Sequence, residues 1–412
     1  MMPVNNRKNL LILSFTLVVV MLGYGIIMPI IPFYIEKLGA SGRELGLLTA
    51  SSAFMQMIFA PIWGSLSDRV GRKPVILIGV MGYGLTMLLF GLASQLWMLF
   101  VARVLNGVLS SATLPTSMAF ISDNTPENER GSGMGKLGAA VGVGIVLGPG
   151  LGGALASISL AIPFFVASGL CLVALLLVWF LLPESLPVEA RQAQGEKSQY
   201  LQVGVLRQIL LGPTGILMLL ILVVSFGMSS FQGILGLYAL DKFGYGPQQI
   251  GAVWMIIGAV MIVSQGALTG ILTKRYGEVI VIRFSLLATA FGFGLMLLAS
   301  AFIPLLLATG FLVLSIALLG PALNSLISTR TTMKQGMTMG WSNSFSSLGR
   351  ILGPIWAGLI FDINMDWPFL SSAVIMLIGL LISFLWMPRD VKVSIGAPVP
   401  NLNDHNSPSS LV

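Results

Sequence analysis

The chain has 412 residues, of which 56% are hydrophobic and only 9% are charged, and its mean hydropathy is +0.93. About a quarter of the residues of a soluble protein are charged, so this composition excludes an ordinary soluble domain. The formal charge of +7 comes from basic residues that lie singly or in small groups between apolar runs, without the basic, aromatic patch typical of nucleic-acid binding.

Twelve apolar runs, each long enough to cross a hydrocarbon core of about 30 Å as a helix, follow one another along the chain. We predict an all-α integral membrane protein with spans at residues 10–35, 45–66, 75–94, 97–121, 133–157, 160–182, 214–240, 248–272, 280–299, 303–328, 336–361 and 368–387.

A polar interruption divides these spans six and six. The predicted domains are an amino-terminal six-helix bundle over 1–185, a cytoplasmic linker over 186–213 and a carboxy-terminal bundle over 214–388. The remaining residues, 389–412, are rich in Pro, Asn and Ser, and we predict a disordered cytoplasmic tail.

The basic residues predict the orientation of the spans. With a cytoplasmic amino terminus, 17 of the 22 Lys and Arg residues fall in cytoplasmic segments, three in external loops and two within spans. This asymmetry follows the positive-inside rule. We therefore predict a multi-pass protein of the cell (plasma or inner) membrane with both termini cytoplasmic.

The two halves of the chain repeat each other at an offset of about 205 residues. Residues 36–39 after span 1 align with 241–244 after span 7, and Gly148-Pro149 in span 5 aligns with Gly353-Pro354 in span 11. Such a repeat implies two pseudo-symmetric six-helix bundles with a binding site between them near the membrane midplane.

Three motifs carry a resemblance to a known family. They are Gly64-x-Leu66-x-Asp68-Arg69-x-Gly71-Arg72-Lys73 after span 2, Arg103 with Gly107 in span 4, and Gly144-x-x-x-Gly148-Pro149-x-x-Gly152-Gly153 in span 5. With them the chain resembles the major facilitator superfamily (MFS) over almost its full length. It is most similar to the twelve-span drug:proton antiporters, the NorA/Bmr type of multidrug exporter, because the span 5 motif resembles the antiporter motif of that branch.

The resemblance implies multidrug efflux of the kind that confers antibiotic resistance: export of small amphipathic molecules or drugs by proton antiport with alternating access. It also implies a small-molecule substrate, protons as the coupling ion, a lipid bilayer, a monomer, no cofactor, no metal and no nucleic acid. The alternative is a proton-independent facilitator or importer of a neutral or anionic small molecule. An enzyme is not expected, since the one histidine, His405, lies in the polar tail and the one cysteine, Cys171, in an apolar run.

The loop after span 2 predicts a conformational latch formed by Asp68, Arg72 and Asp123. Asp68 can accept hydrogen bonds from the amino-terminal end of a facing helix, which span 11 provides in the family. The resemblance implies a pair between Arg72 and Asp123 that locks the outward-facing state and breaks during the switch. Alternatively, these charges only set the topology and cap helices.

The glycines of the span 5 motif, Gly144, Gly148, Gly152 and Gly153, give that helix a smooth face for tight packing against a neighbour. Pro149 removes one backbone hydrogen bond and can bend the helix. Helix packing of this kind is compatible with a role in blocking ion leakage.

Arg103 is the candidate for coupling transport to protons or substrate. A charge within a span costs about 2.5–3.5 kcal/mol on insertion scales, so we expect it to face the bundle interior, either as a sensor of occupancy or as a strut bonded to backbone carbonyls. Glu36 and Asp241 are the acids proposed to act with it, because no acid lies deep in any span. Gln232 stands where NorA-like exporters carry a glutamate, and a cavity with Arg103 and no carboxylate suits a neutral or anionic substrate.

The predicted substrate-binding residues are apolar and aromatic side chains with a few amide anchors, taken from the spans that line the cleft in this fold. They are Phe226, Gln232, Tyr238, Trp254, Asn324, Asn343 and Phe345. Arg350 in span 11 is expected to tie the two halves together.

Overall fold

The computed structural model describes residues 6–186, 191, 214–331 and 335–387. The predicted disordered tail lies outside the described residues, as does the linker apart from Leu186 and Arg191.

The predicted all-α fold with twelve membrane-length helical spans is confirmed. In chain order the spans run over Asn6–Lys37, Gly42–Val70, Arg72–Leu92, Leu96–Asn124, Glu127–Ala156, Ile162–Leu181, Gly215–Phe243, Pro247–Tyr276, Glu278–Leu298, Phe302–Arg330, Gln335–Phe361 and Trp367–Trp386. Their ends differ from the predicted ends by a few residues, because the first and last turns of several helices carry charged residues that the apolar runs leave out.

Proline interrupts two of the spans at equivalent places. Span 4 consists of Leu96–Ser110 and Thr113–Asn124, and span 10 of Phe302–Ala317 and Leu319–Arg330. Pro115 lies four residues after Ser111, and Pro321 four residues after Ala317. Because proline has no backbone N–H, the carbonyls of Ser111 and Ala317 lack the hydrogen bond that would continue the helix. Span 8 contains a π-helical turn over Ser264–Leu268, a feature that often lies at functional sites.

Four glycines with positive φ reverse the chain after the spans that begin each repeat. Gly39 and Gly244, after spans 1 and 7, both have φ of 65°. Gly71 and Gly277, after spans 2 and 8, have φ of 110° and 82°. A residue with a Cβ atom is strained at these positive values of φ, so glycine is the residue that suits these turns.

The spans pack as two groups of six. Span 1 packs on spans 5 and 6, and span 7 packs on spans 11 and 12. The two groups meet mainly where span 5 packs on span 8 and span 2 packs on span 11. Large apolar side chains on the outer surface, such as Phe284 and Leu385, are about two-thirds exposed and lie where a bilayer would cover them.

We call the end of the bundle that carries Asp68, Arg72 and Asp123 the basic end, and the end that carries Glu36, Asp241 and Asp362 the opposite end. The sequence predicts that the basic end is cytoplasmic.

Candidate functional site

A cavity of about 320 Å³ lies between the two groups of six spans. Spans 1, 2, 4, 7, 8, 10 and 11 contribute its walls, and the π-helical turn of span 8 supplies Gln265. This is the central site that the internal repeat predicts.

The polar side chains of the cavity are arginines, amides and hydroxyls. They are Arg103, Arg350, Gln56, Gln232, Gln265, Tyr24, Thr49, Ser52, Ser225, Ser229 and Ser346. Three methionines, Met28, Met228 and Met261, supply flexible apolar surface. Among the described residues, no Asp, Glu, Lys or His lines the cavity.

Arg103 is 2% exposed and lines the cavity from span 4. Its Nε and Nη1 have no hydrogen-bond partner among the described residues, so the predicted alternative of a strut bonded to backbone carbonyls is not seen for these two atoms. The titratable groups that act on it electrostatically are the phenols of Tyr24 and Tyr83. No described carboxylate neutralises this buried guanidinium.

Arg350 joins the two bundles beside the cavity. Its Nη2 donates a hydrogen bond of 2.9 Å to Oε1 of Gln56, which connects span 11 to span 2. This agrees with the expectation that Arg350 ties the halves together. The bond leaves the two N–H groups of the Gln56 amide available as donors.

The structure does not bring the three coupling candidates together. Glu36 and Asp241 are exposed at the opposite end, where they interact electrostatically with each other, and neither lines the cavity that holds Arg103. A direct exchange of a proton between Arg103 and either acid has no support in this arrangement.

Of the seven predicted substrate-binding residues, only Gln232 lines this cavity. Tyr238 is buried, donates to the Met296 carbonyl and contacts Lys242 Nζ at 2.6 Å. The other five lie outside the lining as well: Phe226, Trp254, Asn324, Asn343 and Phe345. Their helices do reach the cleft region, but helix rotation, which the sequence does not specify, places other side chains in the cavity.

Sequence reasoning missed most of the lining. Tyr24, Gln56 and Gln265 were not singled out, although each is a polar residue within an apolar run. Polar side chains in a span normally face the bundle interior, so this signal was available.

Two close-packed seams close the cleft at the opposite end. In the first, between spans 5 and 8, a Cβ added to Gly251 would come within 2.5 Å of the Pro149 carbonyl oxygen. One added to Gly153 would come equally close to the Pro247 carbonyl oxygen. Only glycine permits this approach of two helix backbones.

The second seam, between spans 2 and 11, repeats the first. Gly46 lies against the Pro354 carbonyl and Gly358 against the Gly42 carbonyl. The repeat offset of 205 relates the two seams position by position. It pairs 149 and 153 of span 5 with 354 and 358 of span 11, and 247 and 251 of span 8 with 42 and 46 of span 2. The pseudo-twofold axis thus relates the two seams.

The rest of the span 5 motif packs within its own bundle. Cβ atoms added to Gly144 and Gly152 would meet backbone atoms of span 1, and Gly148 lies against the Leu22 carbonyl. Span 5 therefore presents small residues to two neighbours: span 1 and, through Gly153, span 8.

Toward the basic end the two bundles separate, since span 5 packs on the Pro247–Val263 part of span 8 but not on its last segment, Thr269–Tyr276. A Cβ added to Gly64, Gly135, Gly138 or Gly270 meets no atom of the described residues within 4 Å. Gly64, in the loop motif, therefore makes no close helix contact with a described residue in this conformation.

An additional bond closes the opposite end. The Asp362 carboxylate, just after span 11, accepts hydrogen bonds from the backbone N–H groups of Gly42 at 2.7 Å and Arg43 at 3.0 Å. These are unpaired N–H groups of the first turn of span 2, where a carboxylate is stabilised by the helix dipole.

At the basic end, Arg72 holds the predicted latch cluster together. Its Nη1 lies 2.6 Å from Asp68 Oδ1, its Nε donates to Asp123 Oδ2 at 3.0 Å, and its Nη1 also donates to Ser67 Oγ at 2.6 Å. The expected hydrogen bond from span 11 to Asp68 is not found among the described residues, which begin at Gln335 in span 11. The cluster is thus intact while the opposite end is closed.

A further carboxylate, not anticipated from the sequence, caps span 3. Glu184, after span 6, accepts hydrogen bonds from the backbone N–H groups of Arg72 at 2.8 Å and Lys73 at 3.2 Å. It fixes the end of span 6 beside the latch cluster.

Two repeated bundles of six membrane-length helices, with a central cavity between them, define a membrane transporter. The chain belongs to the Major Facilitator Superfamily, whose sequence profile matches residues 13–329 and 266–398. Membership identifies the protein as a transporter of small molecules rather than an enzyme.

Curated relatives match nearly the whole chain. Multidrug resistance proteins 2 and 1 of Bacillus subtilis are each 33% identical to it; the matches cover 94% of this chain and 97% and 99% of theirs. Quinolone resistance protein NorA of Staphylococcus aureus is 28% identical over 94% of this chain and 98% of its own.

Solved structures share the fold. A bacterial homologue of the human lysosomal transporter Spinster, in an inward-facing and occupied conformation, has a TM-score of 0.76 and 16% identity, with 91% of this chain and 95% of that chain covered. The human organic anion transporter MFSD10 has a TM-score of 0.64 and 22% identity, with 92% and 99% covered.

Proposed function

We propose that this protein exports small amphipathic molecules, drugs among them, across the cell membrane by alternating access. The observation that carries the proposal is the central cavity, which combines amide, hydroxyl and methionine surface between two bundles that are sealed at one end and separated at the other. Methionine surfaces accept varied apolar shapes because their contacts are not directional. The printed names of the B. subtilis and S. aureus relatives, which describe multidrug and quinolone resistance, support drugs as the substrates.

The proposed orientation places the basic end and both termini in the cytoplasm. It rests on the concentration of Lys and Arg at that end. In this orientation the separated helices face the cytoplasm, from which an exporter takes its substrate. A monomer is sufficient, because the cavity is formed within one chain.

Proton antiport is the proposed energy source, in keeping with the span 5 motif. A second candidate, a facilitator that moves no protons, is favoured by one observation: no described carboxylate lines the cavity. A buried carboxylate is the usual proton carrier of such sites. The two candidates differ in whether substrate movement dissipates a pH gradient.

The test uses purified protein in liposomes with an imposed pH gradient, a trapped pH dye and ethidium, a neutral amphiphile or an anionic amphiphile added outside. The gradient is monitored together with uptake of the same compound in labelled form. The variants Arg103→Gln and Glu36→Gln are compared with wild type.

Antiport predicts that a transported compound collapses the gradient with wild type and not with protein-free liposomes. Equilibration of labelled compound with an unchanged gradient supports the facilitator instead. Movement of none of the three classes above the protein-free rate contradicts the proposed function.

A further inference from the structure

We infer that the central cavity selects amphipathic molecules that carry an anionic group, with the Arg103 guanidinium as the counter-ion of that group. The inference rests on the proposed transport function and names the substrate class of its site.

Arg103 is a buried cation whose hydrogen-bond donors are not all satisfied. The side chain is 2% exposed, and its Nε and Nη1 have no partner among the described residues. A buried guanidinium without a partner is strongly unfavourable. A carboxylate or sulfonate can accept from two of its N–H groups at once, which is the geometry that guanidinium binds best.

The charged side chains that line the cavity are positive. Two of the twenty lining residues are arginines, and none of the described ones is acidic. In a partly buried cleft, charges of like sign repel more strongly than in bulk solvent. An organic cation is therefore disfavoured here, and an anion is attracted.

Two further hydrogen-bond donors line the same cavity as Arg103. Tyr24 lines the cavity and interacts electrostatically with Arg103. Gln56 also lines the cavity. Its carbonyl oxygen accepts the hydrogen bond from Arg350, so its two amide N–H groups remain available to donate to a ligand. The arrangement offers a guanidinium, a hydroxyl and an amide to an anion. The methionines Met28, Met228 and Met261 are left for the apolar part of the ligand.

If Arg103 is retained for an anion rather than for the fold, replacing it by a neutral residue of similar shape removes an unpaired buried charge. Arg103→Gln is then at least as heat-stable as wild type without ligand, whereas the loss of a structural strut would lower the unfolding temperature.

The experiment measures equilibrium binding to the full chain in nanodiscs by isothermal titration calorimetry. Three probes share one apolar group: 1-naphthylacetate, the neutral 1-naphthylacetamide and the cationic 1-naphthylmethylamine. Wild type is compared with Arg103→Gln, with Arg103→Lys, which keeps the charge, and with Arg69→Gln, a matched control at an exposed arginine outside the cavity. The unfolding temperature of each variant is recorded with and without the anion.

We expect wild type and Arg69→Gln to bind the anion at least about tenfold more tightly than the amide or the amine. Arg103→Gln loses this preference without losing heat stability, and Arg103→Lys retains part of it. Three results overturn the inference: no binding of the anion at millimolar concentration, equal or tighter binding of the amine, or unchanged anion preference in Arg103→Gln.

Binding of the anion and transport in liposomes are measured separately, so either result can fail without the other. If the liposomes show export of ethidium or of the neutral compound while the anion does not bind, export stands and the inference falls. If the anion binds through Arg103 but no compound crosses the liposome membrane, the binding site stands and the transport proposal falls.

Discussion

The carboxylate of Asp362 accepts a hydrogen bond of 2.7 Å from the backbone N–H of Gly42, and so joins the end of span 11 to the start of span 2. The two residues are 320 positions apart and belong to different bundles. At the place equivalent to Asp362 in the first repeat, position 157, stands Ser157, whose hydroxyl instead bonds to the Ala154 carbonyl of its own helix. The seam between spans 2 and 11 therefore carries a charged cap that the seam between spans 5 and 8 lacks.

We predict that Asp362→Asn shifts the protein toward opening at the opposite end. The loss of a charge at a helix amino terminus costs about 1 kcal/mol, which corresponds to a roughly fivefold change in the ratio of closed to open molecules. The measurement is the distance between spin labels on cysteines introduced at Ser159 and Ser300, two exposed positions at the opposite end, in a Cys171→Ala background.

The matched control is Glu44→Gln. Glu44 lies in the same turn of span 2 as Arg43, but among the described residues its carboxylate bonds only to Ser41, within its own bundle. An equal shift in both variants would show that the inter-bundle bond is not responsible.

We predict that Gly153→Ala impairs closure of the opposite end. The added methyl group would lie about 2.5 Å from the Pro247 carbonyl oxygen, which is backbone and cannot move aside as a side chain can. Transport in liposomes should fall at least about fivefold, since overpacking of this kind commonly costs 1–3 kcal/mol. The distance between spin labels on cysteines introduced at Ser159 and Ser300 should increase as the seam opens.

Gly138→Ala, on the same helix, is the control for this substitution. A Cβ there meets nothing within 4 Å, and alanine in a helix interior is favoured over glycine by about 0.5–1 kcal/mol. Transport should be unchanged and heat stability equal or higher. Loss of transport in Gly138→Ala as well would argue against the seam as the cause.

We predict that Arg72 and Asp123 are energetically coupled. The Arg72 side chain is only 10% exposed and that of Asp123 26% exposed, so their 3.0 Å pair is partly shielded from solvent. Arg72→Gln and Asp123→Asn should each lower the unfolding temperature. In a double-mutant cycle the interaction energy should be about 0.5–3 kcal/mol. Strict additivity of the two effects would contradict the prediction.

The half-exposed pair of Arg72 with Asp68 should contribute less. The Asp68 side chain is 53% exposed, and ion pairs in contact with solvent are typically worth under about 1 kcal/mol. Asp68→Asn should therefore change the unfolding temperature less than Asp123→Asn, and Arg69→Gln, at an exposed position, should change it least.

We predict that Gln232→Glu extends the range of transported substrates toward cations. Gln232 is the one predicted substrate-binding residue that lines the cavity, and a carboxylate there would offset the charge of the arginines. Ethidium uptake relative to that of the neutral amphiphile should rise about tenfold in the liposome assay. Gln95→Glu, at an exposed position outside the cavity, is the control and should leave this ratio unchanged.

The sequence by itself determined the twelve spans and the approximate ends of each. The reason is that the bilayer core needs about 20 apolar residues per helix, and polar or glycine-containing stretches separate such runs clearly. It also determined that Arg103 faces the interior, because lipid exposure of a charge within a span is too costly. The repeat at about 205 residues already paired Pro149 with Pro354, although not the glycines that they contact.

Only the tertiary structure decided which side chains meet. Lipid is as apolar as the interior of the helix bundle, so hydrophobic periodicity does not reveal how a span such as Gly215–Phe243 is rotated about its axis. For this reason six of the seven predicted substrate-binding residues lie outside the cavity. The same holds for contacts between bundles. These contacts depend on helix tilt and on which end of the cleft is closed, which are properties of packing that no local stretch of sequence specifies. Examples are the contacts of Asp362 with Gly42, of Arg350 with Gln56 and of Pro149 with Gly251.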